Sequence, residues 1–137
     1  MEEPKISASF LLDAFASIGE GVLVFDRDDR LLFANRRFFE LYPQLHDAAV
    51  AGASFEQILR QAAARGLAEP ERGSGEEWVN WRLDVFRNPG QITEHRRPDG
   101  GWTLVNQKRT AGGGTVVVLT DITELKRQEI ETKKQAA

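Results

Sequence analysis

The residues of this sequence that are most able to do chemistry are two histidines and two acidic pairs. His46 and His95 lie far apart in the chain and on different predicted elements. A lone histidine is more often structural than a ligand, because a zinc site needs three or four converging side chains. Asp28–Asp29 and Glu76–Glu77 fall in a predicted turn and at a predicted helix start. A catalytic carboxylate pair needs a cleft, so the sequence predicts neither catalytic residues nor a metal site.

Glycine and cysteine usage gives no catalytic motif either. The run AGGGT at 111–115 joins two predicted strands, whereas a phosphate-binding loop opens a helix. We therefore interpret it as a hairpin turn. Cysteine is absent, which removes disulfides and thiolate nucleophiles and suits a reducing cytoplasm. We predict that the chain is not an enzyme.

Composition indicates one ordinary globular domain. The chain has 137 residues, 41% of them hydrophobic, and a net charge of −3. This charge gives no electrostatic case for binding nucleic acid or an anionic membrane. No apolar run approaches the 18 or so residues of a membrane span, and the start MEEPKISASF lacks the layout of a signal peptide.

The first half of the sequence predicts a helix, a hairpin and two further helices. Apolar residues in 6–18 recur at helical spacing, and GVLVFD and RLLFAN read as strands joined by the polar turn RDDR. Asn35 is a good N-cap for the short helix RRFFEL. Ser54, followed by Gln57, predicts a capping box at the start of FEQILRQAAA.

The second half predicts one helix and then three strands. The helix spans about 76–87 and carries Trp78 and Trp81, which we expect in the core, with gating of a ligand or partner as the alternative. Strands are predicted at 91–98, 102–110 and from Thr115 onward. Their loops of three or four residues permit only antiparallel pairing. The prediction is an α+β domain with a five-stranded antiparallel sheet and helices on one face.

Three motifs, in the right order and spacing, resemble the Per-Arnt-Sim (PAS) sensory domain. They are GVLVFDRDDRLLFANRRF, RPDGGWTLVN and TDITELKRQE. The resemblance covers about 19–123 and implies an N-terminal flanking helix at 1–18 and the start of a signalling or linker helix at 124–137. The chain is similar to PAS domains of bacterial histidine kinases and diguanylate cyclases. It departs from the pattern at Asp29, where glycine is common, and in its longer helix at 76–87.

This resemblance implies a cytoplasmic sensory and dimerisation module of a bacterial signal-transduction protein. The C-terminal helix would relay ligand or partner binding to an effector domain outside this chain, such as that of a two-component histidine kinase. A small-molecule carrier or a cavity-based enzyme of α+β fold is the alternative, with His95 as its candidate base. No recognition helix for nucleic acid is visible.

The resemblance also implies a cavity between the sheet and the helices. Strand alternation divides each strand into two faces, and the resemblance to ligand-binding relatives implies that one of them is inward, with a helix covering it. The candidate cavity residues are then Thr93, His95, Thr103, Val105, Gln107, Val117 and Leu119 on the strands and Ile58 and Ala62 on the helix. Such a surface would suit a small, partly polar, non-covalent ligand, and a filled core with satisfied polar groups is the alternative. Flavin–cysteinyl chemistry is excluded because no cysteine follows Asn35. Haem is not expected, because neither histidine lies where haem-binding members of the family have their axial ligand.

The outward face of the sheet would need a cover, because exposed Trp102 and Leu104 would form an apolar patch. We expect a homodimer whose candidate interface combines these two residues with the apolar residues of the first helix, Phe10, Leu11, Ala14, Phe15 and Ile18. In the alternative, that helix covers only the sheet of its own chain.

The last strand runs into the last helix without glycine or proline, and we expect this junction to carry the output signal. Its candidate residues are Asp121, Thr123 and Leu125. Asp121 is predicted to cap the helix, with Glu124 three residues on completing a capping box.

Overall fold

Five antiparallel strands form one sheet, which confirms the predicted α+β architecture. The structure is a computed structural model and describes residues 19–88 and 90–136. The strands lie in the order β2-β1-β5-β4-β3. Their bounds are β1 Gly21–Phe25, β2 Leu31–Ala34, β3 Thr93–Arg96, β4 Trp102–Arg109 and β5 Thr115–Asp121. The second and third strands are shorter than predicted, because polar turn residues flank both of them.

Helices occupy the connection between β2 and β3 and follow β5. They are α1 Arg36–Leu41, α2 Phe55–Ala64, α3 Gly75–Arg87 and α4 Thr123–Ala136, with 3₁₀ turns at Pro43–Leu45 and Pro70–Arg72. As predicted, Asn35 caps α1: its Oδ1 accepts from the backbone N–H of Phe38 at 3.0 Å. The same oxygen accepts from Val22 N at 2.9 Å, so the cap also fixes α1 against β1.

Both long helices of the middle segment begin with a capping box. In α2, Ser54 Oγ accepts from Gln57 N and Gln57 Oε1 accepts from Ser54 N, which confirms the prediction. In α3, Ser74 and Glu77 exchange the same two bonds. The sequence analysis missed this second box, although SGEE carries the same spacing.

The β1–β2 turn keeps its shape without the usual glycine. Asp29 adopts a left-handed conformation with φ of +60°, which Asp tolerates better than most residues. Asp26 Oδ1 accepts from the backbone N–H groups of Asp28 and Arg30. These bonds fix the turn without the glycine that is common at this position in the family.

The core lies between one face of the sheet and helices α1 to α3. Burial alternates along β4 as the pleat requires: Thr103, Val105 and Gln107 are buried, and Trp102, Leu104 and Asn106 are half-buried. Phe25, Phe55 and Phe86 pack together with ring centres 4.1–5.3 Å apart. Trp78 is buried and Trp81 is half-buried.

A single residue, Ile122, separates β5 from α4, so the direct junction is confirmed. Ile122 N donates to Trp102 O at 2.9 Å. The predicted capping box at Asp121 is wrong, because α4 begins at Thr123 and Asp121 still belongs to β5. The Asp121 carboxylate accepts from Thr123 N at 3.1 Å, two residues on instead of three.

The flanking helix expected at 1–18 lies outside the described residues and stays a prediction. Within the described range, no helix is long and apolar enough to cross a bilayer.

Candidate functional site

A cavity of about 70 Å³ lies between the sheet and the helices. This space can hold a few water molecules or a small ligand, since one water needs roughly 10–15 Å³ on this scale. Most of its wall is aliphatic or aromatic. Its lining residues are Leu23, Phe38, Tyr42, Leu45, Phe55, Ile58, Leu59, Ala62, Leu67, Glu69, Trp78, Arg82, His95, Arg96, Val105, Val117 and Leu119.

Most of the residues predicted for the cavity do line it. They are Ile58, Ala62, His95, Val105, Val117 and Leu119. Thr93, Thr103 and Gln107 do not, although Thr103 and Gln107 are fully buried on the same face. Thr103 Oγ1 accepts from Arg97, the Gln107 side-chain amide donates to Val85 O, and Thr93 Oγ1 lies 2.9 Å from His95 Nε2. Alternation gives the face of a residue but not the partner of its polar atom.

His95 forms a buried pair with Glu69, and both side chains are about 95% buried. His95 Nδ1 lies 2.8 Å from Glu69 Oε1. Because a carboxylate can only accept, Nδ1 carries the proton, and the neutral ring accepts at Nε2 from the Thr93 hydroxyl. Burial lowers the pKa of His95; the Glu69 hydrogen bond opposes this shift, and the positive charge of Arg82 adds to it. The imidazole is therefore neutral at pH 7.

A layered contact holds this pair in place. The ring centres of Trp81 and His95 lie 5.5 Å apart, and the guanidinium carbon of Arg72 lies over the Trp81 ring, 4.1 Å from its centre. Arg72 Nε also lies 3.7 Å from Glu69 Oε2. The segment that carries Glu69 and Arg72 is thus fixed to α3 and β3.

Arg82 is a buried cation that forms no hydrogen bond with any of the described residues. Its side chain comes from α3 and lines the cavity, and its Nη1 atom is buried with no acceptor in reach. The guanidinium carbon lies 5.8 Å from the ring centre of Phe55 and 6.0 Å from that of Trp81. Burial lowers the pKa of Arg82 to about 10, against the opposing effects of Tyr42 and Glu69. It therefore stays charged at pH 7.

Trp78, one helical turn before Arg82, shows the same feature. Its indole Nε1 is buried without an acceptor, and the residue lines the same cavity. Residues four apart on a helix share a face. Two residues that line the cavity therefore share one helix face, and each carries a buried donor nitrogen without an acceptor among the described residues.

Tyr42 connects the cavity wall to the sheet. Burial raises the pKa of the Tyr42 phenol, and its hydrogen bond with Thr103 and the charges of Arg97 and Arg82 oppose that shift. Tyr42 itself lines the cavity. The Thr103 hydroxyl in turn accepts from Arg97.

Arg97 is the second buried arginine, and each of its three guanidinium nitrogens has a polar partner. Nη1 donates to Thr103 Oγ1 at 2.7 Å and to Trp102 O at 3.1 Å, Nε donates to Asp99 at 3.3 Å, and Nη2 lies 3.5 Å from Asp121 Oδ1. The pKa of Asp121 lies below its usual range: burial acts to raise it, but hydrogen bonds from Thr123 and the charges of Arg97 and Arg37 outweigh burial. The cluster reaches the first residue of α4.

Sequence reasoning missed Glu69, Arg97 and Tyr42 and did not recognise the role of Arg82. A usable signal existed for Arg82, which falls on the same apolar helix face as Trp78 and Val85. Glu69 lies in the loop sequence GLAEPERGSG, where nothing distinguishes it from solvent-exposed neighbours. No local sequence pattern marks Arg97 either, because its burial and its hydrogen bonds depend on contacts across the sheet.

The residues predicted for the interface and the output are only partly visible. Trp102 and Leu104 are half-buried on the outward face of the sheet, and the other five interface candidates lie outside the described residues. At the output junction, Thr123 Oγ1 accepts from Trp102 N at 3.0 Å, and Leu125 is 65% exposed. Within residues 19–88 and 90–136, no three metal-ligating side chains come together.

Comparison with known proteins agrees with this geometry. The family model described as PAS fold matches residues 15–130. The "Non-motile and phage-resistance protein" of Caulobacter vibrioides is 30% identical over 122 residues, which cover 87% of this chain and 13% of that protein. The chain therefore spans about an eighth of the length of this relative.

Two solved structures share the fold at low sequence identity. The PAS domain of Bordetella pertussis BvgS has a TM-score of 0.50 and 18% identity, over 93% of this chain and 96% of that one. An RNA-binding light-oxygen-voltage receptor has a TM-score of 0.51 and 18% identity, over 99% of this chain and 41% of that one. With the family match over most of its length, the chain belongs to the PAS fold family, whose domains are sensory modules.

Proposed function

We propose that this domain senses occupancy of its cavity and relays it through α4 to an effector domain outside this chain. The observation that carries the proposal is a continuous set of contacts from the cavity wall to the first residue of α4. It runs from the cavity residue His95, which pairs with Thr103 across β3 and β4, through Arg97 to Asp121 and Thr123.

Sheet register supports this route. Thr103 pairs with His95 on β3 and with Asp121 on β5, so these three residues form one row across the inner face. Side chains in such a row are direct neighbours. A ligand that displaces His95 or Tyr42 would therefore act on Thr103, and through Arg97 on the Asp121 carboxylate, which accepts from the first residue of α4.

The relay needs two arrangements of the junction that a ligand distinguishes by affinity. The junction offers a local element of this kind. Asp121 accepts from both the backbone and the hydroxyl of Thr123, and it also lies near Arg97 and Arg37. A change in which of these partners the Asp121 carboxylate contacts would tilt the first turn of α4.

We further propose that the module works as a cytoplasmic homodimer in a bacterial signalling protein such as a two-component histidine kinase. Leu125 and Ile130 are exposed on α4, and a second copy of this helix would cover them. The absence of cysteine suits the cytoplasm, and the net charge of −3 argues against nucleic acid as a partner.

The alternative function, a cavity-based enzyme with His95 as the base, has less support. Both ring nitrogens of His95 are engaged, one by Glu69 and the other by Thr93. A base with no free lone pair would first have to release the Thr93 hydroxyl. The buried pair is better explained as part of the cavity wall.

Two buried threonines give a matched test of the relay. Thr103→Val removes the acceptor of Arg97, whereas Thr115→Val changes an equally buried threonine whose hydroxyl has no partner in the described structure. Amide hydrogen exchange reads the junction at Ile122 N and Lys126 N, which donate to Trp102 O and Ile122 O.

We expect Thr103→Val to accelerate exchange at these two amides and Thr115→Val to leave them unchanged. Tyr42→Phe, which alters only the cavity end of the route, should accelerate the same amides to a smaller extent. If Thr103→Val leaves both amides unchanged in a folded protein, the proposed relay is wrong. Sedimentation of the whole chain tests the dimer separately.

A further inference from the structure

The cavity has an unsatisfied polar end. Arg82 is 6% exposed and Trp78 is 5% exposed, and each has a buried nitrogen without an acceptor. An unpartnered buried donor costs stability, and a charged donor costs more than a neutral one. Two such donors, one helical turn apart and facing one cavity, therefore mark a place where an acceptor group would be stabilised.

The charges around this end favour an anion. His95 is neutral, so the charged groups that face Arg82 are Glu69 and, behind Glu69, Arg72. The Glu69 carboxylate already accepts from His95 at 2.8 Å and lies 3.7 Å from Arg72. Its charge is thus partly offset by Arg72, and Arg82 forms no ion pair with the described residues.

The rest of the cavity sets the body of the ligand. Leu23, Leu45, Ile58, Val105 and Leu119 form an aliphatic wall, which favours an apolar group. A volume of about 70 Å³ limits that group to a few carbon atoms or one ring.

We propose that the cavity binds a small carboxylate with an apolar body, whose oxygens accept from Arg82 Nη1 and Trp78 Nε1. A guanidinium–carboxylate contact is among the strong hydrogen bonds available to a protein. This inference rests on the proposed sensory function, because it names a ligand for the same cavity. The ligand assignment and the relay can nevertheless fail separately.

The indole N–H of Trp78 is a direct reporter of this contact. We would titrate the ¹⁵N-labelled chain with benzoate and butyrate, and in parallel with benzamide and butyramide, which keep the shape and remove the charge. Trp78→Phe identifies the reporter signal among the three tryptophans. Arg82→Met removes the proposed partner, and Arg87→Met removes an exposed arginine of the same helix as the matched control.

At least one of the two carboxylates should shift the Trp78 signal saturably, and its amide should bind at least about tenfold more weakly, or about 1.4 kcal/mol. Arg82→Met should weaken carboxylate binding by a similar factor or more, while Arg87→Met should bind as the parent chain does. Equal binding of the amide, equal binding by folded Arg82→Met, or no shift with either carboxylate overturns the inference.

The same spectra separate this inference from the relay. If an amide binds as well as its acid and the Lys126 amide responds, the relay stands and the carboxylate assignment is wrong. If the carboxylate binds through Arg82 and the Ile122 and Lys126 amides do not respond, the ligand assignment stands and the relay is wrong.

Discussion

Two arginines of this domain are buried, and the polar partners of their guanidinium groups differ completely. Arg97 is 7% exposed and bonds to Asp99, Trp102, Thr103 and Asp121. Arg82 is equally buried, contacts aromatic rings and has an unpartnered Nη1. The first arginine links three strands to α4. The second adds an unsatisfied charge to the core, as expected of a group that is satisfied only when a ligand is bound.

The largest expected effect comes from removing the satisfied arginine. Arg97→Met leaves the Thr103 hydroxyl and the Trp102 carbonyl without their donor, and removes a cation close to Asp121. We expect the free energy of unfolding to fall by about 3 kcal/mol. Urea denaturation measures this; a loss below about 1 kcal/mol would mean that the cluster is not structural.

A glycine next to Arg97 offers a gentler change. A Cβ at Gly101 would lie 2.0 Å from Arg97 Nη2, so Gly101→Ala must displace a guanidinium held by several bonds. We expect a loss of about 2 kcal/mol in the free energy of unfolding. Gly112→Ala is the control, because its Cβ would meet no atom within 4 Å. Equal effects of the two substitutions would contradict the account.

Stability should also depend on the protonation of His95. Burial lowers its pKa below the usual value of 6.5, with Glu69 opposing and Arg82 and Arg72 adding to the shift. As pH falls below 6.5 the unfolded chain takes up the proton first, so stability is lost by up to about 1.4 kcal/mol per pH unit. Denaturation of His95→Gln should show a flatter profile in this window; an unchanged profile would exclude His95 as the cause.

The smallest expected effect is at the output junction. Asp121→Asn keeps an acceptor for Thr123 but removes the charge that attracts Arg97 and Arg37. Because Asp121 is partly exposed, we expect a loss of only about 0.5–1 kcal/mol, detected by urea denaturation with exchange at Lys126 N as a local readout. A loss as large as that of Arg97→Met would show that the carboxylate, and not the threonine hydroxyl, dominates the cluster.

The comparison also explains what the sequence could and could not predict. Strand alternation separated the two faces of β4, and the family resemblance indicated which one is inner. The capping box at Ser54 and the cap at Asn35 followed from local spacing, because these features depend on near neighbours in the chain. The Glu69–His95 pair joins a loop to a strand, and the Arg97 cluster joins β3, β4 and β5. Such contacts depend on tertiary packing, and no local pattern contains them.

Arg82 lies between these cases. Its place on the apolar face of α3 follows from helical spacing, so its burial was predictable. Its lack of a partner was not, because that requires knowing every acceptor brought near it by the fold.

The most direct test of the account is the unfolding free energy of Arg82→Met without ligand, measured beside that of Arg97→Met. Methionine keeps most of the apolar stem and removes the unsatisfied charge, so Arg82→Met should be as stable as the parent chain or more stable by about 1 kcal/mol. A loss of about 2 kcal/mol or more, approaching that of Arg97→Met, would show that Arg82 is already satisfied in the empty domain and would contradict its assignment to a ligand.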